Sequence, residues 1–166
     1  MEPRIHYEKY APEAMKAMYG LERHLKTSSL GEALLELVKM RASQINGCAY
    51  CLDMHSKDAR ARGETEQRLY ELNAWRETPF YTPRERAALE WTESLTLVAQ
   101  THVPDKVFEA VRKEFTEAEI VDLTYAVMAI NTVWPFPCAP FPAPISLHRK
   151  RHPAPPDSPL DYNIGG

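Results

Sequence analysis

The sequence predicts an all-α fold, a helical domain over residues 1–134 followed by a proline-rich extension over 135–166. Three observations carry this prediction. Apolar residues recur at three- and four-residue spacing in successive segments. Several segments open on helix-start signatures such as Thr82-Pro83-Arg84-Glu85. No stretch shows the two-residue alternation of a convincing strand. The pattern resolves into about six to seven helices, and a chain of 166 residues is long enough for one core but too short to argue for two.

Residues 8–26 carry Met15, Met18, Leu21 and Leu25 in a loosely helical pattern, with Pro12 tolerable near the first turn. Ser29 followed by Glu32 reads as a capping box that starts a second helix at Leu30. That helix is apolar around most of its circumference, which predicts burial, and Asn46-Gly47 ends it. A third helix begins around Cys48 and stops at Gly63 after a basic last turn. A shorter one runs from Thr65 to Trp75. From Pro83 to about Gln100 the periodicity predicts a helix burying Ala87, Ala88, Trp91, Leu95 and Val98. Pro104 opens a sixth with Val107, Phe108 and Val111, and Thr116 with Glu119 caps a seventh running through Ile130. Trp75, Trp91 and Phe108 read as core. Nine of the fourteen prolines lie between Pro135 and Pro159, so the chain there is expected to be extended rather than helical.

Composition narrows the function. The net charge of −3, with acids and bases interspersed, gives no electrostatic footprint for nucleic acid or an anionic membrane. No run approaches the roughly 18 apolar residues of a membrane span. The N-terminus lacks the apolar region of a signal peptide, so a cytoplasmic location is expected. Three cysteines are few for a disulfide-stapled secreted domain, and in a reducing compartment a close pair points to catalysis or metal binding.

That pair is Cys48-Ala-Tyr-Cys51, with His55 four residues further on. On a helix, Cys48, Cys51, Leu52, His55 and Ala59 share a stripe while Asp53, Lys57 and Arg60 point away. A disulfide between cysteines three apart is geometrically reasonable at a helix start. Helical surroundings on both sides disfavour a thioredoxin-like site, which follows a strand. A zinc site needs four ligands, and Cys48, Cys51 and His55 supply three, with Glu36, Cys138 and solvent the nearest candidates for the fourth. The dithiol reading is therefore preferred, with no metal and no cofactor. Thiolates attack peroxides and disulfides, and a helix N-terminus lowers a cysteine's pKa. His55, which titrates near neutrality when unperturbed, is placed to take or relay the thiol proton. Glu36 is evenly balanced between a solvated strip and a buried site; burial alone would raise its pKa into the range of a proton shuttle. Tyr50 either hydrogen-bonds in the site or packs. Cys138 reads as an inert thiol, and His6, His24, His102, His148 and His152 as surface or structural.

Glu36, eleven residues, Cys48-Ala-Tyr-Cys51, three residues and His55 together resemble the active-site signature of the AhpD-like alkylhydroperoxidases, within the carboxymuconolactone decarboxylase superfamily. Met40 to Cys48, Tyr81 to Leu89 and Glu119 to Val127 are similar to that family as well, so the resemblance covers about residues 30–133. It implies an all-helical fold assembling into homo-oligomers, trimers or hexamers. It also implies that Cys51 is the peroxidatic cysteine and Cys48 the resolving one, with Glu36 and His55 in a proton relay. The implied reaction reduces hydroperoxides, and an external thiol reductant reopens the disulfide. Some relatives carry a further histidine between the cysteines, where this chain has Tyr50. Two other readings are a lyase of the decarboxylase branch, which does not depend on a CxxC, and a non-enzymatic redox-responsive or zinc-stabilised helical module.

Overall fold

The structure is a computed structural model and describes residues 6–133. Among the described residues every regular element is helical: α1 (Tyr7–Tyr10), α2 (Pro12–Lys26), α3 (Glu32–Asn46), α4 (Ala49–Ala61), α5 (Glu66–Tyr70), a 3₁₀ turn (Leu72–Ala74), α6 (Pro83–Thr96), α7 (Val98–Thr101), α8 (Asp105–Glu114) and α9 (Glu117–Val133). The all-α expectation holds. The proline-rich stretch and Cys138 lie outside the described residues, as do His148 and His152.

The described part contains nine α-helices rather than six or seven, because two expected helices divide. Pro12 cannot donate to the preceding turn and its ring crowds that turn, so 8–26 separates into α1 and α2 with Pro12 at the first helical position. The helix expected to reach Gln100 breaks at Leu97. There the Thr101 hydroxyl donates to the Ser94 carbonyl at 2.6 Å, and Val98, expected in the core, is exposed on α7. His102 and Val103 then take left-handed backbone (φ 52° and 46°) to turn the chain into Pro104.

The Ser29/Glu32 capping box does not form. Gly31 caps α3 with φ 80° and no side-chain bond. Ser29 instead donates to Glu119 at 3.4 Å, and Glu32 accepts from Arg62 of α4. The Thr82 box does form: the Thr82 hydroxyl accepts from the Glu85 N–H at 3.2 Å and the Glu85 carboxylate from the Thr82 N–H at 2.8 Å. Thr116 and Glu119 repeat the arrangement at α9.

α3 is the central post, packed by α4, α6 and α9. Leu34, Leu35 and Val38 enter a core shared with Ala88, Trp91, Val111, Leu123 and Val127. Leu37 and Met40 enter a second cluster with Leu72, Trp75 and Leu89. Ala42 joins Cys48, Cys51 and Ile130 in a third. The core assignment of Trp75 and Trp91 is met, whereas Phe108 is partly exposed, its ring 5.9 Å from that of Trp91.

Arg84 of α6 ties to α9 by donating to the Glu119 carboxylate at 2.6 Å. The Thr116 backbone N–H, and then Arg84, hold the Glu119 carboxyl down at about 2 against an opposing desolvation. A carboxylate whose pKa falls on folding adds stability that is complete above its ordinary value near 4.5 and is lost as pH drops toward 2. Glu119→Gln is therefore expected to be less stable than the parent at pH 7, with the gap closing below about pH 4. Urea denaturation midpoints across that range measure it.

Candidate active site

The site begins with the turn that joins α3 to α4. Gly47 takes the left-handed conformation (φ 63°), which costs a Cβ-free residue little. The Cys48 N–H returns to the Ser43 carbonyl at 3.1 Å, closing α3 with no intervening loop. Cys48 is then extended (φ −85°, ψ 99°) and caps α4, its sulfur accepting the Cys51 N–H at 3.3 Å. Asn46 donates to Asn131 of α9 at 2.8 Å, and Asn131 donates to Thr96 of α6, so the junction is anchored on two further helices.

Cys48 and Cys51 are joined as a disulfide with their Cα atoms 5.4 Å apart. Both are buried (0% and 2% exposed). One turn further along α4, His55 turns inward beneath α3, where its Nδ1 lies 2.8 Å from Oε2 of Glu36. Glu36 and His55 are 6% and 5% exposed. The even question about Glu36 is thereby resolved in favour of burial. The expectation that burial would raise its pKa is corrected. Desolvation does push it up, but the His55 hydrogen bond and the positive charges of His55, Lys39 and Arg62 outweigh it and hold the carboxyl below its ordinary value.

The four expected residues are thus brought to one region, Cys48, Cys51 and His55 by α4 and Glu36 by α3. Glu36 and His55 border a cavity of about 300 Å³. Its wall combines Met15, Met18, Tyr19, Glu22 and Lys26 of α2, Glu36 and Lys39 of α3, Tyr50, Met54, His55 and Asp58 of α4 with Arg62 at its C-terminal cap, and Ala129 and Ile130 of α9. Sequence reasoning missed the contribution of α2, and with it the 2.5 Å ion pair between Lys39 and Glu22. Spacing could have flagged Asp58 and Arg62, three and seven residues beyond His55 on α4.

The zinc alternative proposed Cys48, Cys51 and His55 as ligands. With the two sulfurs bonded to each other neither is a thiolate ligand in this state. The residues whose donor atoms do converge are Glu36, His55 and Asp58, within 4.8 Å of one another, of which Asp58 is exposed.

Fold and site together define an AhpD-like oxidoreductase with a CxxC dithiol and an adjoining glutamate–histidine pair. The chain belongs to the carboxymuconolactone decarboxylase family, which it matches over residues 12–94. It is 48% identical over 132 residues to the uncharacterized protein YdfG of Bacillus subtilis, covering 80% of this chain and 90% of that one. Among solved structures it resembles ATU0492 of Agrobacterium tumefaciens, a protein of unknown function suggested to be the antioxidant defence protein AhpD. The TM-score is 0.79 and the identity 43%, over 86% of this chain and 100% of that one. The debrominase Bmp8 shares the fold at 18% identity and a TM-score of 0.68, over 76% of this chain and 68% of its own. No helix among the described residues is long and apolar enough to cross a membrane.

Removing one member of a buried, hydrogen-bonded pair strands the other. His55→Leu is expected to cost about 3 kcal/mol of stability, and Glu36→Leu/His55→Leu to recover most of that loss. Urea unfolding of the reduced proteins checks both.

Proposed function

We propose that this protein is a thiol-dependent peroxidase that reduces organic hydroperoxides, or hydrogen peroxide, through a Cys48/Cys51 dithiol–disulfide cycle. The observation that carries the reading is the buried disulfide at the start of α4 with the 2.8 Å Glu36–His55 pair one turn away, that pair bordering a cavity in which methionines and tyrosines alternate with charged groups. In the reduced protein His55 takes the Cys51 thiol proton, and Glu36 fixes the imidazole and stabilises its cation. The Cys51 thiolate attacks the distal peroxide oxygen. The O–O bond breaks, the leaving alkoxide takes a proton from His55 and departs as alcohol, and Cys51 becomes a sulfenic acid. The Cys48 thiol attacks that sulfur, expelling water and forming the disulfide.

Two equivalents of an external thiol restore the dithiol and leave as a disulfide. The hydrogen bond from the Cys51 N–H to the Cys48 sulfur favours negative charge on Cys48, which suits it to leave when the incoming thiol attacks Cys51. We also place the protein in the cytoplasm, as a homo-oligomer. Val121, Tyr125 and Met128 support the assembly, because they form an exposed apolar stripe along α9 at the spacing of a helix-packing face.

One equivalent of an organic hydroperoxide added to the reduced protein is expected to remove two titratable thiols, assigned to Cys48 and Cys51 by peptide mapping. Cys51→Ser should lose peroxide reduction, and Cys48→Ser should accumulate a sulfenic acid that a dimedone-type probe captures. Glu36→Gln is expected to slow the thiol loss on the order of 100-fold, the scale of a proton-transfer contribution. Undiminished turnover by Cys51→Ser would refute the reading.

A further inference from the structure

Lys39 is a cation in an unusual place. It sits in α3, the central helix of the fold, is only 4% exposed, and lines the same cavity as Glu36 and His55. Burying an ammonium is costly unless it is paired. Its partner comes from another helix, Glu22 of α2, at 2.5 Å. Lys39 and Glu36 are three apart on α3, which puts their Cβ atoms about 5–6 Å from each other. Nothing in the dithiol chemistry uses Lys39.

We propose that Lys39 is a positioning residue for the relay: fixed by Glu22, its ammonium keeps Glu36 in the anionic, His55-bonded form, so that the α2–α3 ion pair sets the lowest pH at which the site operates. This rests on the peroxidase reading for its kinetic consequence, but the effect on Glu36 is independent of that reading. The charged and titratable groups around Glu36 come from three helices. From α4 come His55, Asp58 and Arg62; from α3, Lys39 and Glu32; from α2, Glu22 and Lys26; α9 contributes only Ala129 and Ile130 to this cavity. Arg62 is tied by Glu32 and the Asp58 carbonyl at a more exposed position, where water screens it. Lys39 is the shielded cation, and a charge out of water acts more strongly at a given distance. Its field is among the influences that lower the Glu36 pKa despite burial.

Glu22 partly cancels the same field, which gives the two members of the ion pair opposite effects. In Lys39→Met, Glu36 ionises only at higher pH, so the acid limb of the thiol-loss rate against pH moves up. On that limb the rate falls about tenfold, the equivalent of a one-unit displacement, while the alkaline plateau is kept. Lys39→Arg restores the limb, and Glu22→Gln moves it down. The test uses the reduced full-length chain with tert-butyl hydroperoxide, measuring single-turnover loss of the Cys48 and Cys51 thiols from about pH 2.5 to 8, a range that reaches below the ordinary carboxyl value. A parallel titration follows the ¹³C-labelled Glu36 carboxyl by NMR in the same variants. Opposite displacements in Lys39→Met and Glu22→Gln support the proposal. An unmoved Glu36 titration in either folded variant overturns it, as does an equal loss at every pH. Glu22→Gln carries the test alone if Lys39→Met does not fold. If the wild type loses no thiols to the peroxide, the peroxidase reading fails while the NMR arm still decides the role of Lys39.

Discussion

The left-handed turn at Gly47 is the constraint from which the site follows. It lets α3 end and α4 begin with only Gly47 and Cys48 between them, so the two helices fold back against each other along their whole length. Position 48 is thereby forced to be a helix cap, and the face of α4 that repeats every three to four residues from it must look at α3. His55 meets Glu36 for that reason. A side chain at 47 would be strained because of the backbone it must adopt, although no neighbouring atom lies within 4 Å of where its Cβ would stand.

Burial and charge act against each other at Glu36, and the outcome depends on who the neighbours are. A carboxyl at 6% exposure among leucines alone would hold its proton. Here a histidine from α4 and two cations from α3 and α4 reverse that preference. The acid is thus anionic because two helices carry the compensating groups to it. The cavity is a product of the same arrangement: α2 packs on α9 and reaches α3 near Lys39, leaving space between them over the histidine.

Much of this was legible in the sequence where the signal is local. Thr82 to Glu85 and Thr116 to Glu119 start helices as their spacing requires, and Asn46-Gly47 ends one. The cysteine and histidine stripe of α4 also falls on the buried side as periodicity demands. Ser29 and Glu32 carry an equally good local pattern and fail, because Gly31 takes the capping position and both side chains are drawn to partners 90 and 30 residues away. Lys39 was invisible for a related reason: its partner precedes it by 17 residues in a different helix, so no helical spacing records the pair. On α9 the apolar character runs almost all the way round, which hides the fact that Val121 and Met128 face outward.

The position of the disulfide has a consequence for the unfolded chain. A cross-link stabilises a fold chiefly by restricting the conformations of the denatured state, and the restriction grows with the length of chain it encloses. Cys48 and Cys51 enclose a single helical turn. The link therefore withholds only on the order of 2 kcal/mol from the denatured ensemble, near the least that any disulfide can, whereas one closing a hundred residues would withhold more than twice that. The cores around α3 do not rely on the bond for their persistence. A chain that must open and close this bond repeatedly is consequently spared a cycle of partial unfolding, and its lifetime is set by packing rather than by how recently it was oxidised.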